Sequence, residues 1–183
     1  RQWPPDSRFK IWRRPIIRPA PNSGSFDVAN QGKIMMPHGI RPLEKANRGD
    51  WEKLFRAHIE FHDTKPTTMG LENVWDWIFD SDREFWCDLV TDAQDQIIGF
   101  VHYLPMPDPL LGEMVIYMAD MYVDPAARRC GAGRALVDHV LEVSKSMGLH
   151  ATQWFARENN YPARNLYDSY RPKTDYILYN VPT

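Results

Sequence analysis

The chain has 183 residues, a formal net charge of -2, a pI near 6.3 and 13% aromatic residues, which suits one domain with a proper core. The near-neutral balance argues against a nucleic-acid binder or a cationic membrane-surface protein, and no apolar run approaches the ~20 residues of a membrane span, nor is a signal-peptide pattern visible. Cys87 and Cys130 are too few for a disulfide framework or a metal cluster, and they suit a reducing compartment, cytoplasmic or nuclear.

Residues 1–33 read as a Pro-rich basic arm. Pro4, Pro5, Pro15, Pro19 and Pro21 break any long helix. Arg8, Lys10, Arg13, Arg14 and Arg18 alternate with Trp3, Phe9 and Trp12. Such an arm either binds an acidic partner or packs its aromatics on the domain or on a neighbouring subunit. The basic run is short and broken by proline, so the packing role is preferred. Residues 22–32 are turn-rich and form a linker.

The domain is expected over residues 34–183. Residues 34–43 read as a first strand, interrupted at Pro37. A helix follows, with Asp50 as its N-cap. Trp51, Leu54, Phe55, His58, Ile59 and His62 recur along it at helical spacing. His58 and His62 lie one turn apart, but no His-Glu-x-x-His pattern and no third ligand accompany them. They are expected at the edge of the buried face, with no metal. A second helix spans 71–79. Strands are expected at 85–91 and 97–104, then a loop through Pro105, Pro107 and Pro109, then a long strand at 114–123. A helix runs to about Met147 with Leu136, Val137, Val140, Leu141 and Ser144 inward, and Gly148 stops it. A strand at 151–156, a helix at 162–170 and a last strand at 176–181 complete an α+β order with a mixed sheet.

The stretch Val123-Asp-Pro-Ala-Ala-Arg-Arg-Cys-Gly-Ala-Gly-Arg-Ala-Leu136 is strand, tight turn and helix N-terminus. Such a junction aims unpaired N–H groups and a helix dipole at one spot, which suits phosphate or pyrophosphate. A dinucleotide fingerprint would need a glycine where Leu136 stands, and a P-loop would need Gly-Lys-Ser/Thr. What stands here is Arg-x-x-Gly-x-Gly, at Arg128, Gly131 and Gly133. Downstream, Asn160, Ala163, Leu166 and Tyr167 form Asn-x-x-Ala-x-x-Leu-Tyr.

Together these two motifs resemble the coenzyme signatures of the Gcn5-related N-acetyltransferase (GNAT) superfamily. The segments at 99–104, 119–137 and 158–168 resemble its branch of polyamine and fungal histone and D-amino-acid N-acetyltransferases. The resemblance implies a GNAT-like fold with a splayed, mostly antiparallel sheet, and acetyl-coenzyme A as co-substrate without a metal. It implies that the backbone of Met121, Tyr122 and Val123 holds the pantetheine arm. Arg128, Arg129, Cys130, Gly131, Ala132, Gly133 and Arg134 would take the pyrophosphate, and Asn160 would help hold the coenzyme. Tyr167 is implied as the general acid at the departing sulfur. A homodimer is common in that branch.

Three positions depart from the branch. Ala119 stands where a glutamate base is usual, Arg129 where glycine is usual, and Tyr170-Arg171-Pro172 where a Gly-aromatic turn is usual. Asp120 is then first choice as base. Strict alternation, however, puts Asp120 on one face with Met118 and Tyr122, so His102 or Tyr103 acting through water are alternatives. The expected activity is acetyl transfer to a small primary amine, such as an amino acid, a polyamine or an amine xenobiotic. Acetylation of protein or histone lysine, and a non-catalytic acyl-coenzyme A sensor, are the rivals.

Overall fold

The structure is a computed structural model, and it describes residues 39–182. The N-terminal arm and the first half of the expected first strand lie outside the described residues. Five strands form one sheet in the order β1-β2-β3-β4-β5. They are β1 (Gly39–Pro42), β2 (Trp86–Thr91), β3 (Ile97–Asp108), β4 (Glu113–Val123) and β5 (Thr152–Trp154). The first four pair antiparallel and β5 joins β4 in parallel. The helices are α1 (Arg48–Phe61), α2 (Thr68–Phe79), α3 (Ala132–Ser146) and α4 (Tyr161–Tyr167). The expected α+β architecture with a mixed sheet is the observed one.

Each face of the sheet carries its own core. Leu136, Val137, Val140 and Val143 of α3 pack on Val90, Val101, Tyr103, Ile116 and Met118. On the other face, Trp51, Leu54 and Phe55 of α1 and Leu71 and Trp75 of α2 pack on Cys87, Leu89, Phe100 and Tyr122. The 3.6-residue period of both long helices and the alternation of β2 and β3 dictate this division. Thr67 caps α2 by accepting from the Gly70 N–H at 3.0 Å. Gly148, at φ 70°, ends the turn after α3.

Four expectations need correction. The N-cap of α1 is Asn47 rather than Asp50, which lies inside the first turn of the helix. The chain does not loop out at Pro105 and Pro107. β3 continues through both to Asp108, paired with β4 down to Asp108↔Glu113. β2 stops opposite Tyr103, so the prolines occupy a stretch with one unpaired edge, where a missing N–H is tolerated. Residues 176–181 form no strand. Tyr176, Ile177, Leu178 and Tyr179 are exposed, because β propensity alone does not make a strand without a ladder to join. Finally, β4 does not alternate strictly. His102 faces Asp120 and Tyr103 faces Met118, which leaves Ala119 without a partner on β3. This one-residue slip is a bulge, and it reverses the side-chain parity of the strand. Ile116 and Met118 face α3, whereas Asp120 and Tyr122 face α1.

Gly99 sets how closely β3 approaches β4 at the far end. A Cβ there would lie 2.5 Å from the Tyr122 carbonyl oxygen and 3.0 Å from Val90 Cγ1. Gly99→Ala is expected to destabilise the fold by about 1–3 kcal/mol through overpacking, read from denaturant unfolding. An unchanged midpoint would show that the two strands yield there.

Candidate active site

The site lies where β4 and β5 part. β5 pairs only with Ile116, Tyr117 and Met118, so residues 119–123 have no β5 partner among the described residues. Backbone groups on that edge of β4 are therefore left for another ligand. Met121, Tyr122 and Val123, the expected pantetheine contacts, stand on this edge. Trp154 of β5 and Tyr167 at the end of α4 close the fork from the other side, with ring centroids 5.3 Å apart.

The turn that follows β4 is built locally. The Asp124 side chain accepts from the Ala126 N–H at 2.9 Å, and Pro125 presets the first residue of a single 3₁₀ turn at Pro125–Ala127. Two left-handed residues follow, Arg129 at φ 64° and Gly131 at φ 101°. Successive left-handed turns of this kind gather N–H groups into an anion-binding concavity. Gly131 is the N-cap of α3, and the first bond onto it comes from the Ala135 N–H at 3.0 Å. The N–H groups of Ala132, Gly133 and Arg134 thus have no acceptor within the helix. A Cβ on Gly133 would lie 3.4 Å from Leu166 Cδ2 and 3.9 Å from Met121 Cε. Both are ordinary van der Waals distances, so α3, α4 and β4 meet around Gly133 without the space there excluding a Cβ.

The side chains around this turn are differently placed. Arg128 turns back toward β4, donating from Nε to the Val123 carbonyl at 3.0 Å, with its guanidinium 5.6 Å from the Tyr122 ring centroid and 5.9 Å from that of Phe61. Arg129 is exposed. Cys130 donates from Sγ to the Ala127 carbonyl at 2.7 Å and so closes the turn. Arg134 reaches α4, donating to Ser169 Oγ at 2.8 Å and lying over the Tyr170 ring. Tyr170 in turn donates to Asp138 at 2.6 Å, so the departure at 170–172 forms a latch between α3 and the end of α4. Asn160 occupies the N-cap position of α4, and its side chain makes no capping bond.

Beneath the fork, α1 and the sheet share a polar cluster. Trp51 Nε1 donates to His102 Nε2 at 3.0 Å. His102 Nδ1 lies 3.1 Å from Asp120 Oδ2, and His58 Nε2 lies 2.9 Å from Asp120 Oδ1. Trp51 and His102 are fully buried. The Asp120 side chain keeps 31% of its surface against 9% for His58, so the cluster opens at the carboxylate. Desolvation alone would raise the Asp120 pKa, but hydrogen bonds from His102 and His58 outweigh it and hold the carboxyl well below the usual carboxylate range. Burial lowers the pKa of His102 against the pull of Asp120. His62 packs edge-on to His58 at 4.7 Å, and its pKa is lowered by burial, then by His58 and Arg157.

The bulge at Ala119 removes the objection to Asp120 that strict alternation raised, since Asp120 faces α1 and the opening. The two alternatives are displaced instead. His102 has no contact with solvent, and its second nitrogen is taken by Trp51. Tyr103 is on the opposite face, donating to Asp88 at 2.6 Å. Trp51 and the joint role of the two histidines were not foreseen as parts of the site. The available signal was Trp51 and His58 one heptad apart on the apolar face of α1, opposite a lone histidine in the apolar run of β3. Burial pushes Tyr167 up to about 12, so its hydroxyl is protonated throughout the physiological range.

A forked parallel edge, a turn of left-handed residues at a helix N-terminus and a partly exposed carboxylate thus lie together. The acetyltransferase (GNAT) family model matches residues 50–170, and the chain belongs to that family of acetyltransferases. The D-amino-acid N-acetyltransferase HPA3 of Saccharomyces cerevisiae is 30% identical over 141 residues, covering 76% of this chain and 88% of the relative. A mycothiol acetyltransferase of Beutenbergia cavernae is 31% identical over 106 residues, 54% of this chain and 34% of that protein. Among solved structures, a ribosomal-protein-alanine N-acetyltransferase from Brucella melitensis superposes with a TM-score of 0.65 at 18% identity, covering 80% of this chain and all of that one. A transcriptional regulator from Bacillus halodurans reaches 0.70 at 15% identity, with 80% and 100% covered. At such identities the structural likeness concerns the fold. No group of three His, Cys, Asp or Glu among the described residues could hold a metal ion, and no helix among them is long and apolar enough to cross a membrane.

Proposed function

We propose that this protein transfers the acetyl group of acetyl-coenzyme A to the primary amine of a small molecule by direct attack on the thioester. The observation that carries this reading is the fork. The β4 edge at 119–123 leads directly into the turn at 128–134, with a partly exposed carboxylate, Asp120, at its base. The left-handed Gly131 and the unbonded N–H groups of Ala132, Gly133 and Arg134 suit a pyrophosphate, and the β4 edge suits an amide-bearing arm. Bound acetyl-coenzyme A supplies an activated thioester. The chain then has to place the amine, take its proton and stabilise the developing oxyanion, for which a backbone N–H near Met121 is the proposed donor. The name of HPA3 favours an amino acid among the acceptor classes. The accessible carboxylate beneath the fork favours an enzyme over a coenzyme sensor.

Tyr167 is proposed to act at the departing sulfur. Its pKa of about 12 lies well above the ~8.5 of an ordinary thiol, so full proton transfer is uphill. The phenol instead holds a hydrogen bond to the developing thiolate. Tyr167→Phe is expected to lower kcat about tenfold and to leave coenzyme affinity within about twofold, as for a bond made only in the transition state. Equal losses in both would make the residue structural. The reading as a whole is tested by titrating acetyl-coenzyme A into the protein in a calorimeter. Saturable one-site binding is expected, and no binding would overturn it.

A further inference from the structure

Four side chains from α1, β3 and β4 form one run of hydrogen bonds, and its donor and acceptor roles are fixed. An indole N–H only donates. Trp51 therefore makes His102 Nε2 an acceptor, and the His102 proton sits on Nδ1, where it is donated to Asp120 Oδ2. Neutral, fully buried His102 is used up as a fixed donor. Asp120 is ionised and only accepts, so at its other oxygen His58 Nε2 carries the proton. With the Nε2 proton held by Asp120, the lone pair of the His58 ring is on Nδ1. Protonation there keeps the bond to Asp120 and adds an opposite charge beside the carboxylate, the arrangement in which an acidic neighbour orients and stabilises a base.

We propose that His58 is the proton acceptor for the incoming amine, with Asp120 orienting it and the Trp51–His102 pair locking Asp120 in place. The proposal rests on the acetyl-transfer reading above. The substrate ammonium approaches the accessible edge of Asp120 and gives up one proton through bridging water to His58 Nδ1, on the ring edge away from the carboxylate. The freed nitrogen lone pair forms a C–N bond to the acetyl carbonyl carbon. The C–S bond breaks, its electron pair leaves on sulfur, and the second proton lost by nitrogen ends on that sulfur. His58 returns its proton to solvent. Ammonium and thioester thus give amide, thiol and one proton.

The groups around His58 are few. β4 contributes Asp120 and Tyr122, whose ring is 5.7 Å away, together with Tyr117, which also feels the Asp120 charge. β3 contributes His102. On α1 itself His62 is nearest. Beyond it lies Arg157, held by Asp63 at 2.8 Å and by the His62 carbonyl at 2.6 Å, while Arg128 covers Tyr122. Asp120 is the only carboxylate bonded to the ring among the described residues.

The test is the pH profile of His58→Gln. Glutamine can still donate to Asp120 Oδ1 but cannot accept a proton at neutral pH. At pH 7 we expect kcat/KM to fall by about 10²-fold. The gap should close as the pH rises past the pKa of the amine, where the substrate arrives already deprotonated. Coenzyme affinity should stay unchanged. A loss that is the same at every pH, or no loss, would overturn the proposal. The wild-type protein gives a second arm that does not depend on the variant folding. With a series of amines of differing pKa, the acid limb of kcat/KM should stay in place, whereas a limb that follows the amine would assign no acceptor to the protein. If wild-type protein binds no coenzyme and turns over no amine, the acetyl-transfer reading itself has failed, which is a different result from either arm.

Discussion

Asp120→Asn is expected to lower kcat/KM by about 10³-fold at neutral pH while leaving the fold and coenzyme affinity intact. The size follows from hydrogen-bond roles. Asp120 accepts from both His102 Nδ1 and His58 Nε2. Asparagine offers one accepting oxygen and one donating nitrogen. Trp51 forces His102 to keep its proton on Nδ1, so the amide oxygen must serve His102. The amide nitrogen then faces His58 and drives its proton to Nδ1, which removes the lone pair that would take a proton from the amine. The carboxylate charge beside the imidazolium is lost as well. The measurement is steady-state thiol release paired with calorimetric coenzyme binding. A loss under tenfold would show that the cluster is structural.

The second large effect is expected at the turn. Gly131 sits at φ 101°, a conformation that a β-branched residue adopts only under strain. In Gly131→Val the uncomplexed turn should relax away from the conformation that gathers the N–H groups of residues 132–134. Coenzyme binding must then restore it, at a cost of roughly 2–3 kcal/mol, and affinity should fall about 30- to 150-fold. Global stability should change less, because the strained turn is exposed enough to relax. Calorimetric titration of the variant reads this directly. Affinity within threefold of wild type would show that the turn amides do not hold the coenzyme.

Legibility of the sequence follows the length scale of each feature. The helices were readable because 3.6-residue periodicity is a property of the segment itself. Trp51, Leu54, Phe55 and His58 fall on the buried face of α1, and Leu136, Val137, Val140 and Ser144 on that of α3. The glycine turn was readable because φ above zero leaves a mark on residue choice. The bulge at Ala119 was not, because it exists only in the pairing of β4 with β3. No local propensity separates an alanine in a bulge from one in register. That single slip decides which helix Asp120 meets, so the polar cluster was hidden with it. Pro105 and Pro107 suggested a loop only because sequence does not show where β2 ends. The exposed run at 176–181 shows the reverse error, with strand-like composition and no ladder among the described residues.

The alanine at 119 also changes meaning in three dimensions. As a missing glutamate it left the base to be sought at Asp120, His102 or Tyr103. As a bulge residue it turns the next carboxylate, Asp120, toward α1 and the opening of the fork.

The most direct test of acetyl transfer to a small amine is a thiol-release screen with acetyl-coenzyme A. Its acceptors would be amino acids of both chiralities, polyamines, aminoglycoside-like amines and histone peptides, with mass spectrometry of each acceptor. The account predicts thiol release matched one-to-one by a single acetyl group on the nitrogen of at least one small amine, at a higher kcat/KM than on any peptide. Coenzyme binding with no acetylated product from any acceptor would contradict it.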